Sequence, residues 1–318
     1  MANKRKGRNS NNAVRAAQEP APLRLDPSYA RAASIKLHQG PINIWIIGCG
    51  GTGSYLAEAV AQLWVATDGM RRTPTPLKHL YLVDPDVVEY KNVGRQRFCH
   101  ADVGKAKAVT LAERCALTFG LRAFAIPEKF DPGFLNSVHS GKYNWGRDTQ
   151  DILLGCVDNA AARRTLNETV TQYERANSIW WLNCGNWARS GELLIGSTNS
   201  IECLKKGFPS RRGSICTALP SPAWMEPGIL QPQPEESADS NLSCAEIALR
   251  NVQSATINRC VAAYAADMLL QLLLGQLRYF ALYFSLGPGT SHARYITREN
   301  IAVAIRVSTE EVFGAAKS

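Results

Sequence analysis

The sequence predicts an α/β fold: a Rossmann-like, mostly parallel, doubly wound sheet with antiparallel strands at its C-terminal end. Three observations carry this reading. Short apolar, β-branched runs alternate with segments of helical period from residue 42 to about residue 200, the order that places strand, covering helix and next parallel strand in succession. The first run, "INIWII", leads straight into a cluster of glycines, and the second, "HLYLVDPD", ends in acids. Past residue 243 one long amphipathic stretch is followed by three strand-like runs with no helical segment between them.

The elements follow in order. Residues 42–47 form the first strand, because six apolar or β-branched positions in a row suit a strand buried on both faces. Gly48, Gly50, Gly51 and Gly53 then break the run before "SYLAEAVAQLWV" takes up helical spacing. A Thr- and Pro-rich insert separates this helix from the strand at 79–86. A helix from about Lys105 to Phe119, a strand in "RAFAIPEKF", a strand in "DILLGCVDN", a helix from Ala160 and the strand pair "SIWWLNCGN" and "GELLIGST" complete the alternation. Residues 201–243 differ: they hold six of the sixteen prolines and show little periodicity, so they read as one long functional loop. A helix opening at Cys244 and antiparallel strands in "RYFALYFSLGPG", "ARYITREN" and "IAVAIRVS" close the chain.

Composition excludes several classes. The chain has 318 residues and a net charge of +9, of which residues 1–25 supply +5, six cations against Glu19 alone. This stretch lacks apolar periodicity and reads, with the residues up to 38, as a disordered basic tail; a solvated tail and an arm for nucleic acid or an acidic partner both fit. The basic start is followed by no apolar signal core, so a cytoplasmic location is expected. The apolar stretch from Val261 is interrupted by Asp267, Gln271, Gln276 and Arg278, which leaves no run of about 18 residues to span a membrane. Nine scattered cysteines, odd in number and without a CxxC pair, argue against a disulfide framework and against a tetrahedral zinc site.

The glycine run Gly48-Cys-Gly50-Gly51-Thr-Gly53 fits G-x-G-x-x-G, a turn that lets backbone approach phosphate at a helix N-terminus. Taken alone it serves dehydrogenases and adenylating enzymes equally. Asp84 ends the next strand where an acid meets a ribose, though 31 residues beyond Gly53 rather than the usual 20 or so. After it come Asn92, Arg95, Gln96, Lys105 and Lys107, a polar and cationic set suited to triphosphate, and Asp158 at a later strand end, a carboxylate suited to a metal. A hydride-transfer enzyme requires neither, and no catalytic base paired with a substrate arginine is evident.

The ordered set D-x-D-x-V-x-x-x-N-x-x-R-Q (Asp84 to Gln96), "DVGKAKAV" and "GCVDNAAARRTLN" resembles the ThiF/MoeB family, the ubiquitin-activating-enzyme-like adenylyltransferases. The resemblance spans residues 42–200 and implies an adenylation domain over 39–318, with 201–243 as its crossover loop. It implies ATP and Mg2+ as cofactors, with Gly48, Gly50, Gly51, Gly53 and Ser54 forming the ATP turn and Asp84 on the ribose. Asp86 would neighbour the nucleotide, Asn92, Arg95, Gln96 and Lys107 would line its phosphates, and Asp158 would hold Mg2+ or stand near the α-phosphate. Three local alternatives stay open: Asp158 as the cap of the helix beginning at Asn159, Lys105 as a solvated side chain, and Arg163 and Arg164 as packing residues.

Two further expectations come from the resemblance. "WWLNCGNWARSGELLIGS" and "NLSCAEIALRNVQSATIN" are similar to segments of the ThiF proteins of plasmid-associated PRTRC systems, which implies a ubiquitin-like protein and a conjugating-enzyme-like protein as partners, and a homodimer. The arginine segment that reaches a neighbouring subunit's nucleotide in many relatives is missing; Arg31 is the substitute on offer. For transfer of the activated carboxylate to sulfur, Cys244 at a helix start ranks ahead of Cys216 in "SICTALPSP", with Cys203 third; each also fits a plain thiol. Cys49 is read as the variable residue of the turn and Cys184 as core. Adenylation of a carboxylate on tRNA and a non-catalytic nucleotide-binding scaffold are the competing functions.

Overall fold

The computed structural model describes residues 26–38, 40–68, 77–139, 149–174, 178–208, 215–232 and 244–314, except for the side chains of 244–254. Strands β2 (Ile42–Ile47), β3 (Leu77–Val83), β4 (Ala123–Ile126), β5 (Gln150–Gly155) and β6 (Ile179–Asn186) run parallel, and β7 (Ser190–Gly196), β9 (Tyr279–Ser285) and β10 (Thr290–Tyr295) add antiparallel neighbours. The eight-stranded order is β10-β9-β7-β6-β5-β2-β3-β4. A second, two-stranded sheet joins β1 (Ser34–Ile35) to β8 (Ile215–Cys216) in parallel.

Every residue of β2 is buried, which accounts for its unbroken apolar run. On one face Ile44, Ile46, Leu80, Leu82, Leu154 and Leu182 pack under α2 (Gly51–Asp68), α3 (Lys107–Phe119) and the 30-residue α8 (Cys244–Leu273). On the other, Trp45, Tyr81, Leu153 and Trp181 pack under α4 (Gly133–His139), α5 (Ala160–Tyr173) and α7 (Pro222–Met225). Burial on this scale supplies about 25 cal/mol per Å² of apolar surface removed from water. One polar device sits inside it. Asp151, wholly buried on β5, accepts from Asn43 Nδ2 (3.0 Å) and Trp45 Nε1 (2.7 Å) of β2, holding the two central strands in register.

The chain leaves β2 toward β3 on one side and later returns to β5 on the other. The strand order therefore reverses beside β2, and the crevice at the carboxyl ends of β2 and β5 is where open α/β sheets bind ligands.

Three expectations change. "IAVAIRVS" is not a strand: α9 (Arg298–Ala304) begins with Thr297 accepting from Asn300 N (3.1 Å), and Ile301, Ala304 and Ile305 are buried while Val303 is 69% exposed, a helical period. The region 201–243 is not one loop where it is described. It holds α6 (Ile201–Gly207) and α7, capped by Ser200 and Ser221, the strand β8 and a 3-10 turn at Pro227–Leu230; residues 209–214 and 233–243 lie outside the description. Of the tail expected to reach residue 38, residues 1–25 lie outside the description, but Pro27–Arg31 is the helix α1, and Ile35, wholly buried, pairs with Cys216. A last helix, α10 (Thr309–Phe313), follows α9.

Candidate functional site

The glycine turn is built by close contact. Gly48 has a φ of +90° and donates its N–H to the Val83 carbonyl (2.9 Å), and a Cβ there would lie 2.7 Å from the Cys156 carbonyl oxygen. A Cβ on Gly53 would sit 1.8 Å from the Gly48 oxygen, and one on Gly51 2.3 Å from the Asn258 amide of α8. Gly50 differs: its nearest neighbour in that direction is Gln96 Nε2 at 3.8 Å. The turn therefore presents its open side at Gly50, with the N-terminus of α2, free of acids in its first turn, behind it.

Asp84 clamps this turn to the end of β3. Its carboxylate accepts from Cys49 N (2.6 Å) and Asp86 N (2.8 Å), and burial raises its pKa while those two N–H groups and Lys107 oppose the rise. Asp86 reaches Lys107 twice, carboxylate to Nζ at 2.8 Å and carbonyl to backbone N–H at 2.9 Å. The Lys107 side chain is only 7% exposed against 63% for Asp86, so a cation stands at the first position of α3 with its counter-ion on the solvent side. Ser54 points elsewhere: its hydroxyl donates to Gly51 O (3.1 Å) and accepts from Arg97 N (3.0 Å), pinning the 95–98 segment to the turn.

That segment carries the rest of the polar set. Asn92 is buried and accepts from Glu89 N (2.8 Å), holding the 3-10 turn at Tyr90–Asn92. Arg95 is half-buried and donates from Nε to the Lys91 carbonyl (3.1 Å). Gln96 is 8% exposed, and its Oε1 is buried without a partner among the described residues; a buried acceptor left open costs about 1–3 kcal/mol, which a ligand donor would relieve.

Asp158 is exposed just beyond β5, touching Asn159 Nδ2 at 3.4 Å. It does not cap α5: Asn159 does, accepting from Ala162 N (2.9 Å). Arg163 and Arg164 donate to the Val157 and Leu230 carbonyls (3.0 and 2.7 Å), the packing role, and Lys105 is exposed. A bare helix N-terminus, an open glycine and two cations fit triphosphate, while the open Gln96 Oε1 is an acceptor suited to a hydroxyl or amino donor of a ligand. No group of three or more metal-binding side chains occurs among the described residues; the lone carboxylate of Asp158 suits Mg2+, which keeps waters and takes substrate phosphates as its other ligands.

The cysteines separate. Cys216 is wholly buried in β8 and burial pushes its thiol far up, so as the chain is folded it presents no thiolate. Cys203 is half-buried with Sγ 3.9 Å from the Glu174 carbonyl. Cys244 is the first residue of α8, with a side chain outside the description. Cys184 is a core residue, as read, and Cys49, read as the variable residue of the turn, is wholly buried as well. Arg31 lies by β9 and β10 at the amino-terminal edge of the parallel strands, where Ala33 N meets Ile296 O and Ile35 N meets Leu277 O (2.8 and 3.0 Å), so it does not reach the glycine turn of its own chain.

Two residues were missed. Asn258, an amide on the buried side of α8, accepts from Thr52 Oγ1 (3.3 Å) and from Asn186 Nδ2, docking the long helix on the turn. Glu192 of β7 is 5% exposed, and burial, with Glu226 beside it, pushes its pKa up to about 7. The signal for both was a polar residue on an otherwise apolar face.

Fold and site together describe an α/β domain whose crevice gathers an open glycine turn, the cations Lys107 and Arg95 and an exposed carboxylate. The ThiF family pattern matches residues 35–299, and the chain belongs to the ThiF family. It is 26% identical over 189 residues to ubiquitin-like modifier-activating enzyme 6 of Mus musculus, covering 58% of this chain and 17% of that protein. It is 24% identical over 193 residues to the NEDD8-activating enzyme E1 catalytic subunit of Saccharomyces cerevisiae (58% of each) and 28% identical over 208 residues to ubiquitin-like modifier-activating enzyme 5 of Oryza sativa subsp. japonica (59% of this chain, 46% of that protein). The chain thus spans well under two thirds of these relatives' length. Among solved structures, PaaA aligns over 80% of this chain and 64% of its own at 16% identity and a TM-score of 0.49, and E. coli MccB with ATP over 80% and 63% at 15% identity and 0.45. No helix among the described residues is long and apolar enough to cross a membrane.

Proposed function

We propose that this protein uses MgATP to adenylate the C-terminal glycine of a small ubiquitin-like protein. The observation that carries the reading is the buried Lys107, held by Asp86 beside the open side of the glycine turn, together with membership of a family whose relatives here are activators of ubiquitin-like proteins.

In this reading the substrate carboxylate attacks the α-phosphorus, the bond to the bridging oxygen of the β-phosphate breaks, and pyrophosphate leaves with the charge that develops on it. Lys107, Arg95 and the α2 N-terminus stabilise that charge, Asn92 and Gln96 hold the phosphates, and Asp84 takes the ribose hydroxyls with the oxygen lone pairs its two N–H bonds leave free. Asp158 would hold Mg2+, which when bound would supply charge neutralisation at the phosphates.

Thioester transfer, the second half of the proposal, falls to Cys244 rather than the buried Cys216. Fourteen residues separate Cys244 from Asn258, the point where α8 meets the turn, and a straight helix spans about 21 Å over that interval. Transfer therefore requires the start of α8 to move toward the adenylate. The partners are a ubiquitin-like protein, a conjugating-enzyme-like protein and a second copy of this chain, with the PRTRC group as the setting.

ATP–pyrophosphate exchange driven by a ubiquitin-like protein ending in Gly-Gly tests the reading. Lys107→Ala and Asp158→Ala lose exchange by about 100-fold or more; normal exchange in both sinks it.

A further inference from the structure

Arg97 directly follows Arg95 and Gln96, and the chemistry above makes no use of it. It is tied at three points. Its guanidinium grips Glu58 of α2 with two bonds, Nε to Oε2 at 2.6 Å and Nη2 to Oε1 at 3.4 Å. Its N–H donates to Ser54 Oγ (3.0 Å), and that hydroxyl donates in turn to the Gly51 carbonyl (3.1 Å) inside the glycine turn. Its carbonyl accepts from Arg114 Nη1 of α3. Arg114 is itself anchored, because its Nη2 donates to Asp102 (2.7 Å), whose carboxylate also accepts from Cys99 N (2.8 Å). Upstream, the Arg95 and Gln96 N–H groups both reach the Asn92 carbonyl (3.3 and 3.0 Å). A cavity of about 90 Å³, lined by Ala57, Leu111, Cys115 and the two arginines, opens between α2 and α3. On this side, polar contacts rather than packed side chains set where Arg97 lies.

We propose that Arg97, with Glu58 as its counter-ion, is a positioning residue for the triphosphate: it fixes Arg95 and Gln96 beside the open side of Gly50. The inference rests on the reading that this crevice binds MgATP. An arginine fork on a carboxylate fixes direction as well as distance, and a neighbour held in this way removes freedom from the groups that touch the ligand. As an ion pair alone it contributes little, since the Arg97 and Glu58 side chains are 50% and 32% exposed; its effect is geometric. The sign of the Glu58 effect separates the two roles. Removing a carboxylate near a polyanion strengthens binding if charge alone matters, whereas removing the partner that orients Arg97 weakens it.

Calorimetric titration of the full chain with MgATP tests this, with denaturant unfolding of each variant alongside. Arg97→Ala and Glu58→Ala each weaken MgATP binding about tenfold, and the double variant is no weaker than Arg97→Ala alone. Arg97→Lys, which keeps the charge and loses the planar fork, recovers part of the loss. Unfolding midpoints stay at the wild-type value, because an exposed pair adds little to stability. Affinity unchanged in both single variants overturns the proposal and leaves the buried Phe98 as the anchor of the segment. A Glu58→Ala variant that binds more tightly, or losses that add in the double variant, overturns it as well and puts Arg97 on the nucleotide directly. Wild-type protein that binds no MgATP overturns the reading of the crevice, and this inference with it.

Discussion

Two glycines of one turn have opposite reasons to be glycine. Gly48 combines a φ of +90° with a carbonyl 2.7 Å from where a Cβ would stand, whereas Gly50 meets nothing nearer than 3.8 Å. Gly48→Ala is expected to cost about 2–3 kcal/mol of folding stability, readable in a denaturant titration. Gly50→Ala folds as the wild type does and binds MgATP more weakly, because the methyl occupies the side left open for phosphate; an equal stability loss in both would contradict this division. Asp151 offers a second test. Asp151→Ala strands Asn43 Nδ2 and Trp45 Nε1 inside the core, an expected loss of about 3–5 kcal/mol, seen as a lowered denaturant midpoint. Glu192 gives the protein a pH dependence of known sign. Its pKa rises from 4.5 unfolded to about 7 folded, so the folded state binds the proton more tightly. The stability this supplies is fully present below pH 4.5 and is lost as pH rises to about 7, an effect of up to about 3 kcal/mol. Glu192→Gln removes that slope, and a slope of the same size in the variant would place the titration elsewhere.

At the scale of elements, the central strands were legible because a strand covered on both faces must be apolar throughout, and β2 is buried at every position. The polar set proposed for the nucleotide stood out for a different reason: Asp84, Asn92, Arg95, Gln96 and Lys107 lie close together in sequence, so their spacing carries the pattern. The last segment was not. In "IAVAIRVS" apolar residues recur at every second position, which suits a strand, while Ile301, Ala304 and Ile305 satisfy a helix as well; the cap at Thr297 decides between them. The elements inside 201–243 escaped notice because α6 and α7 span seven and four residues, too short for periodicity, and are held by their caps Ser200 and Ser221. Asn258 escaped because its partner Thr52 is distant in the chain, and Glu192 because only the packed fold buries it with Glu226 nearby.

For the whole molecule, the proposed adenylation and the proposed transfer belong to different parts of α8, its middle and its start. The helix is anchored on the glycine turn through Asn258 while Cys244 opens its far end. Cys244→Ala is therefore expected to retain ATP–pyrophosphate exchange and to lose the thioester, visible as the disappearance of a thiol-sensitive adduct on a non-reducing gel; an adduct that persists in Cys244→Ala assigns the nucleophile elsewhere. The central claim is that the crevice beside β2 activates a carboxylate. Its most direct measurement is the exchange of labelled pyrophosphate into ATP with and without a ubiquitin-like protein ending in Gly-Gly. The account predicts exchange that requires both Mg2+ and the free C-terminal carboxylate; MgATP binding with no exchange under either condition would contradict it and leave a nucleotide-binding scaffold.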